Sequence, residues 1–383
     1  MKKKFGFLSH LDLNLYLFRT PIIKELLQQG HIIYAICPKG DKNKALEDLG
    51  CKVINYRINR QGLNPFKEKV AIDNIYQAIK NLKLDVLHTF TAKPNIYGTF
   101  AGRKANIPIV LNLVEGLGSF YTKNSFKNII IRNIMERLYK KAFKMSDGCV
   151  FVNSDDPHYM INKRIIKKDK VKIIKSVGVD KNKFNLDNFS KDEIKNIKDK
   201  NNLSNKLIVL MVARAIWDKG IKEYYEAAKI IKENHSNIEF VLVGNTDEGN
   251  HTCASIEFLR NSDVKWLGHR DDIVELTAIS DIYVLPSYRE GVPATLMEAS
   301  SMSKPIVTTD TVGCREVVKD GYNGFLVPIK DSKNLALKIE KLILDENLRK
   351  RFGSNARIKV EKEFDVNIVV KQYMEYYDRI IHA

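Results

Sequence analysis

Short apolar runs rich in β-branched residues alternate with segments of helical periodicity along the chain, and this alternation limits the fold more than any other feature. The runs lie at 5–9, 32–37, 52–56, 86–89, 109–114 and 148–152, and a second series lies at 172–176, 207–213, 239–243, 264–267, 282–285 and 305–309. Each is too short for a helix and too continuously apolar for a strand with one wet face, which is the signature of strands buried on both sides. Helical patterns fit between them, at 20–30, 69–82, 219–234 and 294–303 among others. A repeated strand–helix order gives parallel sheets with helices on both faces. The stretch 187–206 is polar and poor in apolar residues, and it reads as part of a connection between two such domains. The expected architecture is therefore α/β: two Rossmann-like, doubly wound domains at 1–180 and 181–365, with the helical tail 366–383 packing back on the first. A length of 383 residues gives each domain a sizeable core.

Composition removes several classes. Hydrophobic residues make up 44% and charged residues 28%, so the chain is neither disordered nor fibrous. Its longest apolar stretches, such as 107–114, fall far short of a membrane span. The start, MKKKFGFL, runs directly into a strand-like segment with no signal-like apolar core. Five cysteines form no CxxC pair and are odd in number, which argues against a disulfide framework or a structural zinc and for a reducing, cytoplasmic setting.

The net charge of +17 is unevenly placed. Residues 1–190 carry 34 Lys/Arg against 16 Asp/Glu, whereas residues 191–383 carry 29 against 30. A polyanionic partner for the first half follows. The stretch 123–144 carries seven Lys/Arg with Phe126, Ile130, Ile134, Leu138 and Phe143 near helical spacing. Such a helix either packs on a core with solvated lysines outside or lies in a lipid interface. The stretch 163–170 reads as a solvated basic loop. Zinc-finger spacing, an RNP-like aromatic run and a basic region leading into heptads are all missing, so nucleic acid is not expected as a partner.

Ligands of open parallel sheets bind beyond the carboxyl ends of strands. After the first strand stands Ser9-His10-Leu11-Asp12-Leu13-Asn14 rather than GxGxxG, which removes the best support for a dinucleotide oxidoreductase. Arg214 directly follows the strand 207–213, and Lys219 comes five residues later at a helix start; two cations at that edge suit a diphosphate. The strand 282–285 leads into a loop carrying Glu290, then Gly291, Val292 and Pro293, with Pro293 suited to the first helical position. Backbone N–H groups from Gly291 to Thr295 can receive phosphate oxygens. Glu298 follows Glu290 by eight positions, and two carboxylates there suit vicinal hydroxyls, one of a ribose and the other of a transferred sugar. No Asp-x-Asp occurs in the chain, so no divalent metal and no separate cofactor is expected, and leaving-group charge falls to Arg214, Lys219 and the helix N-terminus.

These residues carry a resemblance. Arg214 with Lys219, Glu290-x7-Glu298, Val243-Gly244, VKWLG at 264–268, SDIYVLPS at 280–287, KPIV at 304–307 and GYNGFLV at 321–327 resemble the donor-site motifs of retaining glycosyltransferases of family 4. The resemblance covers nearly the whole chain. It implies the GT-B fold, two Rossmann-like domains facing a cleft, with a nucleotide-sugar donor on the second and an acceptor on the first. It further implies that Glu290 contacts the donor sugar, that Glu298 holds the ribose, and that Arg214 and Lys219 neutralise the diphosphate. The backbone from Trp266 through Gly268 to His269 would frame the base, beside Gly244.

In the first half, His88 to Asn95, the EGLGSFY run at 115–121, and the segments 16–22 and 63–65 resemble a narrower group that builds glycans on undecaprenyl diphosphate, as does ASIEFL at 254–259. Within it, the N-acetylgalactosaminyltransferases of bacterial protein N-glycosylation are the nearest in pattern. That likeness implies a UDP-GalNAc donor, an α1,3 linkage and an undecaprenyl-diphosphate-linked bacillosamine-type acceptor. The enzyme would sit peripherally on the cytoplasmic face of an anionic membrane. Arg19 and Lys93 are candidates to meet the acceptor diphosphate, and His10 and His88 to bond phosphate or sugar hydroxyls. Glu115, beside Gly116, is placed to contact the acceptor hydroxyl and act as a base. The alternatives are a related UDP-sugar transferase of O-antigen or capsule assembly, a UDP-sugar 2-epimerase, and a non-catalytic membrane- or polyanion-binding module.

Overall fold

Every pairing between strands is parallel. The computed structural model describes residues 2–59, 65–121, 125–250 and 252–382. The chain divides into two units, Met1–Val177 with Asn367–Ala383, and Gly178–Val366. Leu63, Asn64 and Lys123, part of the sequence patterns above, lie outside the described residues.

The first unit holds β1 (Lys4–Leu8), β2 (Ile32–Cys37), β3 (Lys52–Asn55), β4 (Val86–Phe90), β5 (Ile109–Val114), β6 (Gly148–Phe151) and β7 (Val171–Ile173), in the order β3-β2-β1-β4-β5-β6-β7. The central strands β4 and β6 are buried along their whole length, while the edge strands β3 and β7 are partly exposed. Burial on both faces explains why the central strands read as unbroken apolar runs. The terminal helix Val366–Ile381 buries Val369, Tyr373, Tyr376 and Tyr377 at helical spacing. Tyr377 packs edge-on against Phe5 of β1, with ring centroids 5.3 Å apart.

The second unit holds β8 (Leu207–Val212), β9 (Ile238–Val243), β10 (Lys265–Trp266), β11 (Ile282–Leu285), β12 (Ile306–Thr309) and β13 (Gly324–Val327), in the order β10-β9-β8-β11-β12-β13. Both sheets thus reverse strand order once, between β1 and β4 in the first and between β8 and β11 in the second. A backbone bridge between Val179 and Asp365 ties the start of the second unit to its end.

Several expectations are revised. The run 172–176, grouped with the second series, supplies β7, which pairs with β6 through Cys149 and Val171 and closes the first sheet. The polar stretch 187–206 is not a bare connection: it contains the helix Lys191–Lys200, inside the second unit. Its capping box accounts for this, since Glu193 accepts from the Ser190 backbone N–H at 2.8 Å while the Ser190 hydroxyl accepts from Glu193 N–H at 3.2 Å. The helix expected over 20–30 begins at Asp12 and runs to Gln28 with Pro21 inside it, because Leu15, Arg19, Ile22, Ile23 and Leu26 form one buried face.

The helix Phe126–Met145 starts on a Ser125 cap and buries Ile131, Tyr139, Ala142 and Phe143. Leu138 and Met135 also pack against that core, whereas three other apolar residues face outward: Phe126 is 79% exposed, Ile130 44% and Ile134 50%. Among the described residues no helix is long and apolar enough to cross a membrane.

Candidate active site

Loops diverge where strand order reverses, which opens a crevice at the carboxyl edge of a parallel sheet. In the second unit that point lies between β8 and β11. Arg214 and the 3₁₀ turn Trp217–Lys219 follow β8, and the loop carrying Glu290 follows β11. The Lys219 ammonium donates to Glu290 Oε1 at 2.5 Å, and both side chains are largely buried. The Glu290 loop is held from several sides. Glu290 N–H donates to Val312 O at 3.1 Å, and Tyr288 N–H donates to Asp218 O at 3.0 Å. The Thr309 hydroxyl donates to Ser287 O, and the Thr311 hydroxyl donates to Tyr288 O at 3.0 Å. Gly313, at φ +82°, passes so close to the Gly291 carbonyl that a Cβ would overlap it.

The helix Ala294–Ser301 follows. Pro293 is its extended N-cap rather than its first helical residue, and no side chain caps it. This leaves the turn beside Glu290, with Val292 and Thr295, suited to an anionic ligand. Glu298 sits one turn into the helix. Burial pushes its carboxyl up to about 7, opposed by the charge of Lys183.

Arg214 is 59% exposed and donates to Asp247 Oδ2, after β9, at 2.5 Å. An exposed pair of this kind contributes at most about 1 kcal/mol, so Asp247 restrains Arg214 only weakly against a competing phosphate. Beyond β9 and β10, Gly244 N–H donates to Gly268 O at 2.8 Å, and the Trp266 indole donates to Gly244 O at 2.8 Å. Gly244, at φ +140°, lies against the Ala213 carbonyl where no side chain fits. Trp266 thus holds the backbone at Gly244.

In the first unit the reversal lies between β1 and β4. His10 and Thr91, just beyond those strands, hydrogen-bond to each other across it. Thr91 holds φ +75°, a conformation rare for a β-branched residue. Glu115 directly follows β5 and is followed by Gly116 at φ +150°. Its carboxylate accepts from Arg19 Nη2 and from Asn14 Nδ2 at 3.2 and 3.4 Å.

Three first-half assignments change. Arg19 is fully buried and spends its charge on Glu115, so it cannot meet an acceptor diphosphate. His88 is fully buried, with Nδ1 bonded to the Tyr377 hydroxyl at 2.7 Å, and burial holds its pKa well below the usual histidine value. It is a packing residue rather than a ligand contact. Lys93 is largely buried and bonds Glu68 Oε1 and Asn59 O, each at 2.7 Å, which removes it from a loop cation's role.

Sequence reasoning missed Asn14, Asp247, the hydroxyls of Thr309 and Thr311, and that of Thr308, which donates to Leu285 O at 2.6 Å. Those threonines follow and end the buried strand β12, and a hydroxyl cluster at a strand's carboxyl end was the available signal.

Residues 6–154 match the family described as Glycosyl transferase 4-like, and residues 192–359 match Glycosyl transferases group 1. The chain belongs to the family 4 glycosyltransferases and has their GT-B fold. It is 42% identical over 382 residues, 99% of each chain, to the N,N'-diacetylbacillosaminyl-diphospho-undecaprenol alpha-1,3-N-acetylgalactosaminyltransferase of Campylobacter jejuni. It is 26% identical over 314 residues to the UDP-Gal:alpha-D-GlcNAc-diphosphoundecaprenol alpha-1,3-galactosyltransferase of Escherichia coli, covering 80% of this chain and 78% of that one. The crystal structure of Anabaena Alr3699/HepE in complex with UDP-glucose shares the fold, with a TM-score of 0.80 and 22% identity over 98% of this chain and 100% of that one.

Proposed function

We propose that this chain transfers N-acetylgalactosamine from UDP-GalNAc, with retention and in α1,3 linkage, to undecaprenyl-diphosphate-linked N,N'-diacetylbacillosamine in protein N-glycan assembly. The observation that carries this reading is the 42% identity over 99% of both chains to a relative of that activity.

The second unit binds the donor. Arg214 and Lys219 face the diphosphate and, with the start of the helix Ala294–Ser301, stabilise the charge that develops on it. Lys219 and Glu290 hold each other before the donor arrives, so little reorganisation is needed when it binds. Glu290 takes the sugar hydroxyls, and Glu298 takes the ribose. Gly244, Trp266 and Gly268 frame the base. The departing phosphate oxygen accepts the acceptor hydroxyl's proton on the same face, and cation charge replaces a metal in this scheme.

The first unit binds the acceptor through His10, Glu115 and Gly116. Its basic surface and the outward residues Phe126, Ile130 and Ile134 hold it peripherally on the cytoplasmic face of an anionic membrane.

The test is UDP release across a panel of UDP-sugars, with and without the lipid-linked acceptor. Fast, acceptor-dependent release with UDP-GalNAc, undiminished by EDTA, is expected. Preference for another UDP-sugar would overturn the donor assignment, and loss of turnover in EDTA would overturn the metal-free scheme.

A further inference from the structure

Arg19 is 0% exposed, yet its Nε and Nη1 have no hydrogen-bond partner. Its surroundings are apolar or equally bare. The guanidinium lies 4.6 Å above the Phe90 ring, and Phe90 stacks obliquely on His88, whose Nε2 is also buried without a partner. Tyr373 of the terminal helix lies 6.2 Å from His88, ring to ring, with its hydroxyl likewise unpartnered.

Structural arginines elsewhere in the chain behave differently. Arg103 spreads its donors over the carbonyls of Met145, Ile107 and Pro108 as well as Asp147. Arg357 bonds the carbonyls of Lys181, Phe184 and Ser301 as well as Glu361. Arg19 has one polar partner, Oε1 of Glu115. Burying a guanidinium is costly, and here the cost is offset by that one carboxylate and a ring face.

Glu115 is 28% exposed, so the pair joins a sealed cation to an accessible anion. Asn14 adds to this: its Oδ1 accepts from the Ser9 hydroxyl at 3.3 Å, which turns its Nδ2 toward Glu115. One carboxylate oxygen is thereby occupied from beneath by Arg19, and the other meets only the longer Asn14 contact.

We infer that Arg19 is a positioning residue for transfer: from its fully buried place, it fixes the Glu115 carboxylate that receives the acceptor. This rests on the acceptor role given to Glu115 above.

A double-mutant cycle on the full chain tests it. Wild type, Arg19→Met, Arg19→Lys, Glu115→Gln and the Arg19→Met/Glu115→Gln pair are compared for kcat, for KM of acceptor and of UDP-sugar, and for thermal midpoint. The cycle uses whichever donor and acceptor the wild type turns over, so an error in substrate identity leaves it interpretable. Arg19→Met is expected to lower kcat/KM for acceptor about 100-fold, as a displaced reacting group does, with KM for UDP-sugar unchanged. Arg19→Lys, which keeps the charge and one donor, should recover turnover to within about tenfold of wild type. In the Glu115→Gln background, Arg19→Met should cost nothing more. Equal losses from Arg19→Met in both backgrounds would overturn the proposal, as would wild-type turnover by Glu115→Gln. If Arg19→Met does not fold, Arg19→Lys with and without Glu115→Gln closes the same cycle.

Discussion

Glu290 and Glu298 are the same side chain in two electrostatic settings. Glu290 lies against the Lys219 ammonium, whereas none of the ion pairs among the described residues includes Glu298. Burial therefore raises Glu298 from 4.5 to about 7, a difference worth on the order of 3 kcal/mol between its two protonation states. The sign follows from proton counting. Above pH 4.5 the unfolded chain releases this proton while the folded chain keeps it, so stability falls as pH rises, until about 7, where both forms are ionised. Glu298→Gln should flatten that decline and raise the thermal midpoint at pH 8, as read by thermal denaturation across pH. The same substitution removes the charged acceptor proposed for the ribose, and KM for UDP-sugar should rise about tenfold or more. In the wild type that KM should fall as pH passes through 7 and the carboxylate ionises.

At the scale of elements, two features set what the site can hold. The first is the packing of Gly313 beneath the Glu290 loop. Gly313→Ala places a methyl against the Gly291 carbonyl at positive φ, and should cost about 2 kcal/mol or more in stability. Because the displaced atoms adjoin Glu290, kcat should fall more steeply than the thermal midpoint alone would suggest, which steady-state kinetics on the folded fraction would show. The second is the helix Phe126–Met145, whose outward isoleucines contribute little to the core. Ile130→Ser with Ile134→Ser should leave the thermal midpoint near wild type while weakening binding to anionic vesicles about tenfold or more, by sedimentation.

This helix also marks where sequence reading stops. Its periodicity was plain, but Phe126, Ile130 and Ile134 compete with Ile131, Tyr139 and Phe143 for the core, and only packing against the segments 94–98 and 99–104 decides between faces. Strand positions were legible in the same measure: central strands announce themselves by unbroken apolar runs, whereas edge strands such as β7 do not declare which sheet they close. At the sites, spacing along the chain paired Glu290 with Glu298, eight positions apart, whereas Lys219 meets Glu290 from 71 residues away because β8 and β11 lie side by side. Arg19 was legible only as a cation. Its burial depends on sharing a helical face with Leu15, Ile22 and Leu26, and its partner lies 96 residues away.

For the whole molecule, charge distribution carries the argument that no single residue can. The first 190 residues hold 34 Lys/Arg against 16 Asp/Glu, and the rest of the chain is nearly balanced. Each basic residue near an anionic leaflet contributes about 1 kcal/mol and acts only within a Debye length, about 8 Å at physiological salt. Under the proposed function, attraction of that kind would bring the first unit to the surface, and the exposed apolar turn of the helix Phe126–Met145 would then hold it there by area burial, which salt does not screen. The two contributions separate experimentally. Turnover of acceptor embedded in anionic vesicles should fall severalfold between low salt and 0.5 M NaCl, because capture at the surface weakens. Turnover of a water-soluble, short-chain acceptor at the same concentrations should change far less, since the proposed donor site is assembled from short-range contacts such as Lys219 to Glu290. Equal salt sensitivity for the two acceptors would place the charge effect at the reacting groups, and the basic surface of the first unit would then have no part in finding the lipid.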